Sequence, residues 1–329
     1  MTNHPKPYTH EACIDSSSEN FTSTTAETRD SVMSHYSDAP DVECFEALPA
    51  GTFKAIGFST RAIQRIIKQQ KERPIEVVKY PRFRHVLPSV AEKVSLSSTR
   101  QMFNHDTRSL IVKLVTEAHQ TASRGLFFPV MHAVRDMGLE NSITAVGGKT
   151  IQGIFSSKET DQSFSLRQPV PGRDKKWPII TVEVGASDAY RKLKADAEWW
   201  LTSSQGQVKL VVIVSINPKI PEITFETIVL GPVVNSLHKW PYVPTVRQSI
   251  TTSRPPDQPD ADISVYPAVP LTVRFEELFC RQPAPPEHDI NISIDELKQI
   301  SEDVWRKQDL QTFLITGAYM FAFPLVKDT

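Results

Sequence analysis

Asp161, Glu183 and a lysine at 192 or 194 are the side chains whose types and order in this sequence could do chemistry. Two carboxylates can hold a divalent ion, and a nearby cation can steer an attacking water, which are the parts that metal-assisted phosphodiester hydrolysis requires. Magnesium suits such a pair because it accepts one or two carboxylates and completes its shell with water and substrate phosphate. Asp161 lies in TDQSFSLRQP, Glu183 in WPIITVEVGAS, and Lys192 and Lys194 in the AYRKLKADAEWWL that follows. Plainer uses exist for each group. Glu183 can end a strand or bond to the turn at Ser187, Asp161 can sit in a polar loop, and Lys192 with Asp196 can form a surface pair contributing about 0.5 kcal/mol.

The elements that must position these groups are legible around residues 177–216. Ile179, Thr181 and Glu183 alternate with Ile180, Val182 and Val184, as on the two faces of a strand. A helix capped by Ser187 should follow, with Tyr190, Leu193, Ala197, Trp200 and Leu201 as its buried stripe and Lys192 and Asp196 on another flank. Adjacent tryptophans cannot both face one core, so one of Trp199 and Trp200 is expected at an edge or interface. VKLVVIVSI is apolar enough for a sheet centre, which completes a strand, helix, strand crossover, and ITFETIVL is the next strand. Upstream, Leu110, Ile111, Leu114, Val115, Ala118 and Ala122 fit helical spacing behind Asp106 as cap, with Glu117 and His119 beside the stripe. A further short helix should follow Gly125, in FFPVMHAVRDMGL, and end at Gly138, and residues 142–157 read as a hairpin or bulge about Gly147 and Gly148.

The remaining segments divide the chain. Residues 1–48 are a Ser/Thr-rich acidic leader that cannot bury enough apolar surface to order itself, so a disordered tail is expected. Residues 49–105 form a lead-in: a helix over 58–73 with Ile63, Ile66 and Ile67 on one face and Arg61, Arg65, Lys68, Lys71 and Arg73 around the rest, then a proline-containing stretch with one short strand at most. That basic face suits either phosphate or plain solvation. The α/β core spans 106–250, a proline-rich linker or loop 251–270, and a C-terminal helical segment 271–329. In that last segment Ser293 and Glu296 make a capping box before Leu297, Ile300, Val304 and Trp305.

Composition removes several function classes. At 329 residues the chain can bury a core, and its net charge of −1 supplies no global field for nucleic acid or anionic lipid, so such binding needs a local patch. Three cysteines, Cys13, Cys44 and Cys280, are too far apart for a zinc ribbon or a disulfide framework. The first thirty residues lack an apolar signal core, and Phe313 to Val326 is interrupted by Thr316, Gly317 and Pro324, so an intracellular protein, cytoplasmic or nuclear, without a membrane span is expected. Gly147, Gly148, Lys149 and Thr150 imitate the end of a phosphate loop, but Ile143 stands where its first glycine belongs.

Several of these pieces occur together in one known family. Asp161-x-Ser-Phe164, Val182-Glu-Val-Gly-x-Ser187, Leu193-x-x-Asp-Ala-Glu-Trp-Trp-Leu201, VKLVVIVSI, FEELFCR and EDVW resemble a large fungal protein family with a PD-(D/E)xK core, distantly similar to bacterial restriction endonucleases. The resemblance covers roughly residues 107 to 310. It implies a restriction-endonuclease-like α/β fold, a mixed central sheet flanked by helices, and a Mg²⁺- or Mn²⁺-dependent nuclease acting on nucleic acid. Asp161, preceded by Thr160 in place of proline, and Glu183 would be the metal ligands. Gly185 occupies the position of the usual catalytic lysine, which leaves Lys192, then Lys194, as its substitute on the next helix, and Glu117 as the acidic residue of the first core helix. Loss of that lysine equally implies a non-catalytic accessory or binding protein that keeps the fold, such as one encoded in a fungal biosynthetic or defence gene cluster, with a protein partner or a second copy.

Overall fold

A computed structural model describes residues 40–57, 59–72, 79–232 and 242–308. Apolar runs set its elements. Helix α1 (Pro40–Glu46) leads to strand β1 (Lys54–Ile56), helix α2 (Thr60–Glu72), strand β2 (Arg82–Arg84) and one helical turn, α3 (Pro88–Ala91). Strands β3 (Thr99–Asn104) and β4 (Ser109–Leu114) precede the long helix α4 (Glu117–Asp136). Four short strands follow: β5 (Ile143–Ala145), β6 (Thr150–Gln152), β7 (Ser156–Glu159) and β8 (Gln162–Leu166). Strand β9 (Ile180–Ala186), helix α5 (Tyr190–Ser203) and strand β10 (Leu210–Ile216) form the crossover. After it come β11 (Glu222–Pro232), β12 (Tyr242–Ser253), β13 (Ser264–Tyr266), β14 (Leu271–Val273), α6 (Phe275–Phe279), β15 (Ile290–Ile292) and α7 (Ile294–Lys307).

The fold is α/β with two mixed sheets. The six-stranded sheet runs β1-β2-β4-β3-β7-β6 and the seven-stranded sheet β13-β12-β11-β10-β9-β8-β5, with β14 and β15 as a separate pair. Only β1 with β2 and β9 with β10 run parallel among the described pairs, and Glu183 lies opposite Ile213 in the second of these. Three apolar layers separate the sheets and helices. Ile63 and Ile67 of α2 bury against Phe83, Leu110 and Val112 on the outer face of the six-stranded sheet. Helices α1 and α5 fill the space between the sheets, against Met102 and Ile111 on one side and Val211 and Ile213 on the other. Helices α4, α6 and α7 cover the remaining face of the seven-stranded sheet.

That sandwiched position of α5 explains two departures from the sequence reading. Trp199 and Trp200 are both fully buried, because the helix has a sheet on each side of the turn that carries them. Lys192 and Asp196 are buried for the same reason, while Tyr190, expected in the buried stripe, is 38% exposed. The alternation of β9 and the Ser293 and Glu296 capping box of α7 are as expected.

Other boundaries move. The expected leader ends too late: residues 1–39 lie outside the described residues, but Pro40–Glu46 is helical and buries Cys44 and Phe45. The expected basic helix is α2, with Arg73 outside the described residues. The stretch before residue 105 holds β2, α3 and β3 rather than one strand. The expected Asp106-capped helix is instead the β3–β4 hairpin, with Asp106 in its turn, and helix α4 starts at the Thr116 cap. A short apolar run buried on both faces fits either period, so spacing alone cannot decide it. The two helices expected around Gly125 are one: a Cβ at Gly125 would lie 2.9 Å from Ile300 of α7, so this glycine permits close helix packing and ends nothing. The hairpin about Gly147 and Gly148 is a crossing between sheets, since β5 pairs with β8 and β6 with β7. The expected linker contributes the edge strand β13.

Gly125→Leu should therefore lower the unfolding free energy by about 1–3 kcal/mol in urea denaturation. Adding Ile300→Ala should recover part of that loss, and strict additivity of the two changes would contradict the packing.

Candidate functional site

Asp161 occupies the step between β7 and β8, which belong to different sheets. Its side chain is wholly buried at the point where the sheets meet. Oδ2 accepts hydrogen bonds from the Val184 backbone N–H at 2.9 Å and from the Lys113 ammonium at 2.5 Å, and contacts His119 Nε2 at 3.0 Å. Arg100 Nε donates to the Thr160 carbonyl at 3.0 Å and lies 3.7 Å from Asp161 Oδ1. Burial opposes ionisation of Asp161, but His119 and Lys113 outweigh it and hold the carboxyl well below the usual range.

Glu183 points from β9 into the same layer as Thr181 and is 1% exposed. It accepts from Trp200 Nε1 at 2.7 Å and from Lys158 Nζ at 3.1 Å on one oxygen, while Lys113 Nζ lies 3.5 Å from the other. Burial pushes its pKa up, with Lys158 opposing and Asp161 adding to the rise. Lys158 extends the chain to Asp196 at 2.9 Å, and Asp196 also pairs with Lys192 one helical turn away. At Asp196, burial is outweighed by Lys158 and Lys192, which lower the carboxyl to about 2. The Cys44 thiol donates to Asp196 at 3.3 Å, and burial raises its own pKa well above the ordinary value.

The result is an alternating row: Asp161, Lys113, Glu183, Lys158, Asp196, Lys192. Three buried carboxylates meet three buried ammoniums, so the row is neutral without a bound ion, while partly exposed Arg100 borders it. Each ion loses several kcal/mol of hydration on burial, and the row tolerates this because each interior member meets opposite charge on two sides. His119, at the start of α4, is held below the ordinary histidine value by burial despite the nearby Asp161 charge. The neutral ring that donates from Nε2 to Asp161 leaves Nδ1 without a hydrogen-bond partner among the described residues.

Of the residues singled out from sequence, Asp161 and Glu183 converge, on Lys113. Lys192 joins the row only at its far end, through Asp196. Lys194 lies outside it, 3.9 Å from Glu226, and Glu117 is an exposed residue paired with Lys307 at 3.2 Å. Sequence reasoning missed Lys113, Lys158 and the role of His119. The available signal was a lone charge in the otherwise apolar SLIVKL run, whose six residues are all buried.

The arrangement does not fit a divalent ion. Magnesium requires near-octahedral oxygen ligation at about 2.0–2.1 Å with several retained waters. Here an ammonium stands between the two carboxylates, and neither carboxylate reaches solvent. Among the described residues, no group of three or more His, Cys, Asp or Glu side chains is arranged to hold a metal ion. Nor does any described helix have the length and apolarity to cross a membrane. A cavity of about 210 Å³ lies elsewhere, lined by Phe45, Leu48, Pro49, Gly51, Lys54 and Arg82. Neither a protein-family model nor a curated protein matches the chain.

The titrations fix a direction for acid sensitivity. The unfolded chain takes up a proton at His119 near pH 6.5 that the folded chain refuses, so this group's contribution is lost as pH falls through that value. Asp161 and Asp196 contribute above the ordinary carboxylate range and lose it as pH falls below about 4, towards about 2 for Asp196. Glu183 acts in the opposite sense above 4.5. Urea denaturation between pH 7 and 5 should therefore show a slope in the wild type, bounded by about 1.4 kcal/mol per pH unit for one proton, that is shallower in His119→Asn. Equal slopes would remove His119 from the account.

Proposed function

We propose that this chain is a non-catalytic binding or accessory protein with a restriction-endonuclease-like core, in which the Lys113 ammonium holds the place between Asp161 and Glu183 that a divalent cation would take in an active nuclease. One observation carries the reading: Lys113 Nζ contacts both carboxylates, and both are buried. Neither carboxylate presents a surface to which a phosphodiester could bind directly, since the side chains of Asp161 and Glu183 are 0% and 1% exposed. The nuclease-like core is supported by element order: α4, then Asp161 between β7 and β8, Glu183 on β9, helix α5 and the parallel strand β10.

A second reading, a Mg²⁺-dependent nuclease acting on DNA or RNA, is favoured by the meeting of Asp161 and Glu183 at a single cation. The two readings separate by calorimetric titration with Mg²⁺ and Mn²⁺ and by cleavage assays on single- and double-stranded DNA and RNA. The expected outcome is no saturable metal binding and no cleavage by the wild type. Divalent-dependent cleavage that disappears in both Asp161→Ala and Glu183→Ala would overturn the non-catalytic reading.

The structural role of Lys113 has its own measurement. Lys113→Met leaves two buried carboxylates without their shared cation and should cost about 3–5 kcal/mol of stability. Combining it with Asp161→Asn should cost less than the sum of the two single changes. A Lys113→Met protein as stable as the wild type would mean that the row does not hold the sheets together.

A further inference from the structure

The near-neutral chain conceals a strong separation of charge. Residues 54–98 contain ten Lys and Arg against three Asp and Glu, a net of +7, and the whole chain carries −1, so the remainder carries −8. The segment builds α2 and the adjoining end of the six-stranded sheet. Helix α2 spends its apolar residues inward, with Ile63 and Ile67 buried against Phe83 and Leu110. Arg61, Arg65 and Lys68 fall on its outward face at i, i+4 and i+7, all exposed.

The backbone brings further cations to the same end of the sheet. The Gly57 N–H, just before α2, bonds to the Arg84 carbonyl at 2.9 Å, and the Val86 N–H bonds to the Arg108 carbonyl at 2.9 Å. Arg84, His85 and Arg108 are exposed there, beside the start of α2. Lys93 is exposed in the segment that runs along the helix from Val90, which contacts Thr60, to Ser97, which contacts Lys71. None of Arg61, Arg65, Lys68, Arg84, Lys93 and Arg108 has an ion-pair partner among the described residues. The first turn of α2 carries no acidic residue, so Arg61 adds its charge to the positive end of the helix dipole. Such an arrangement is self-repelling in isolation and is relieved by an external anion.

We propose that α2 and the adjoining sheet end form a binding surface for the phosphate backbone of a nucleic acid. Arg61 to Lys68 spans about 10 Å along the helix. That is the axial length over which one strand presents about three phosphates at 3.4 Å each. Guanidinium groups, which predominate here, match phosphate oxygens in pairs. A membrane-surface helix would instead turn apolar residues outward, and those of α2 are committed to the sheet. The surface uses neither Asp161 nor Glu183 and stands whether or not the buried row is catalytic.

Fluorescence anisotropy of the full chain with labelled 20-nucleotide DNA and RNA, single- and double-stranded, tests it. The wild type should bind at low salt with affinity falling as salt rises. Arg61→Glu, Arg65→Glu and Lys68→Glu together should weaken binding by about tenfold or more and flatten the salt dependence by about two to three phosphates. The charge-matched control Lys175→Glu, Lys209→Glu and Lys219→Glu, all exposed and outside this segment, should stay within about threefold of wild type. Circular dichroism melts check that each variant is folded. No binding by the wild type, equal weakening in the control, or binding only to phosphatidylserine vesicles would each overturn the proposal.

Discussion

Six charges lie buried in one row between two sheets, and the rest of the molecule is arranged so that they can stay there. No single element supplies the row. Lys113 and Lys158 come from the six-stranded sheet, Glu183 from the seven-stranded sheet, Asp161 from the step between them, and Lys192 and Asp196 from α5. Desolvated charges tolerate little displacement, because the attraction that offsets their lost hydration depends on contact distance. The row thus demands rigidity from the elements that carry it. The fold meets that demand with large, well-oriented groups: Trp200 bonds to Glu183, and Trp199 bonds to Asp41 and Ser156.

The same constraint accounts for the position of α5. A helix covering one side of a single sheet exposes a polar face, and its lysines reach water. Placed between two sheets, α5 must satisfy its buried polar side chains, Lys192 and Asp196, internally, and it does so through Lys158 and Cys44 on neighbouring elements. Its outer end is different: Tyr190 and Lys194 approach Glu226 near the surface, where water can share the load.

Much of the seven-stranded sheet was legible in sequence because its signals are local. The alternation of β9, the apolar run of β10 and the capping box of α7 each involve residues within a few positions of one another. The pairing of Asp161 and Glu183 was legible as an order of residue types. What escaped was non-local. Lys113 meets Glu183 across 70 residues, and a lone charge in an apolar run gives no sign of which carboxylate it will meet. The run containing Lys113 also fits a helix about as well as a strand, which placed the lysine in the wrong kind of element and out of consideration. Trp199 and Trp200 misled because one core was assumed where the chain builds layers on both sides of the helix.

Helix α1 has an implication for how the chain is made. Its buried groups bond far downstream: Asp41 to Ser156 and Trp199, and Cys44 to Asp196, across 115 to 158 residues. A ribosome adding about 5–20 residues per second needs roughly eight to thirty seconds to supply the last of those partners. Throughout that interval the earliest described helix has emerged while the layer it belongs to does not exist. Its apolar side, Cys44 and Phe45, stays unpaired until then, so burial of α1 is among the last events that synthesis permits in this layer.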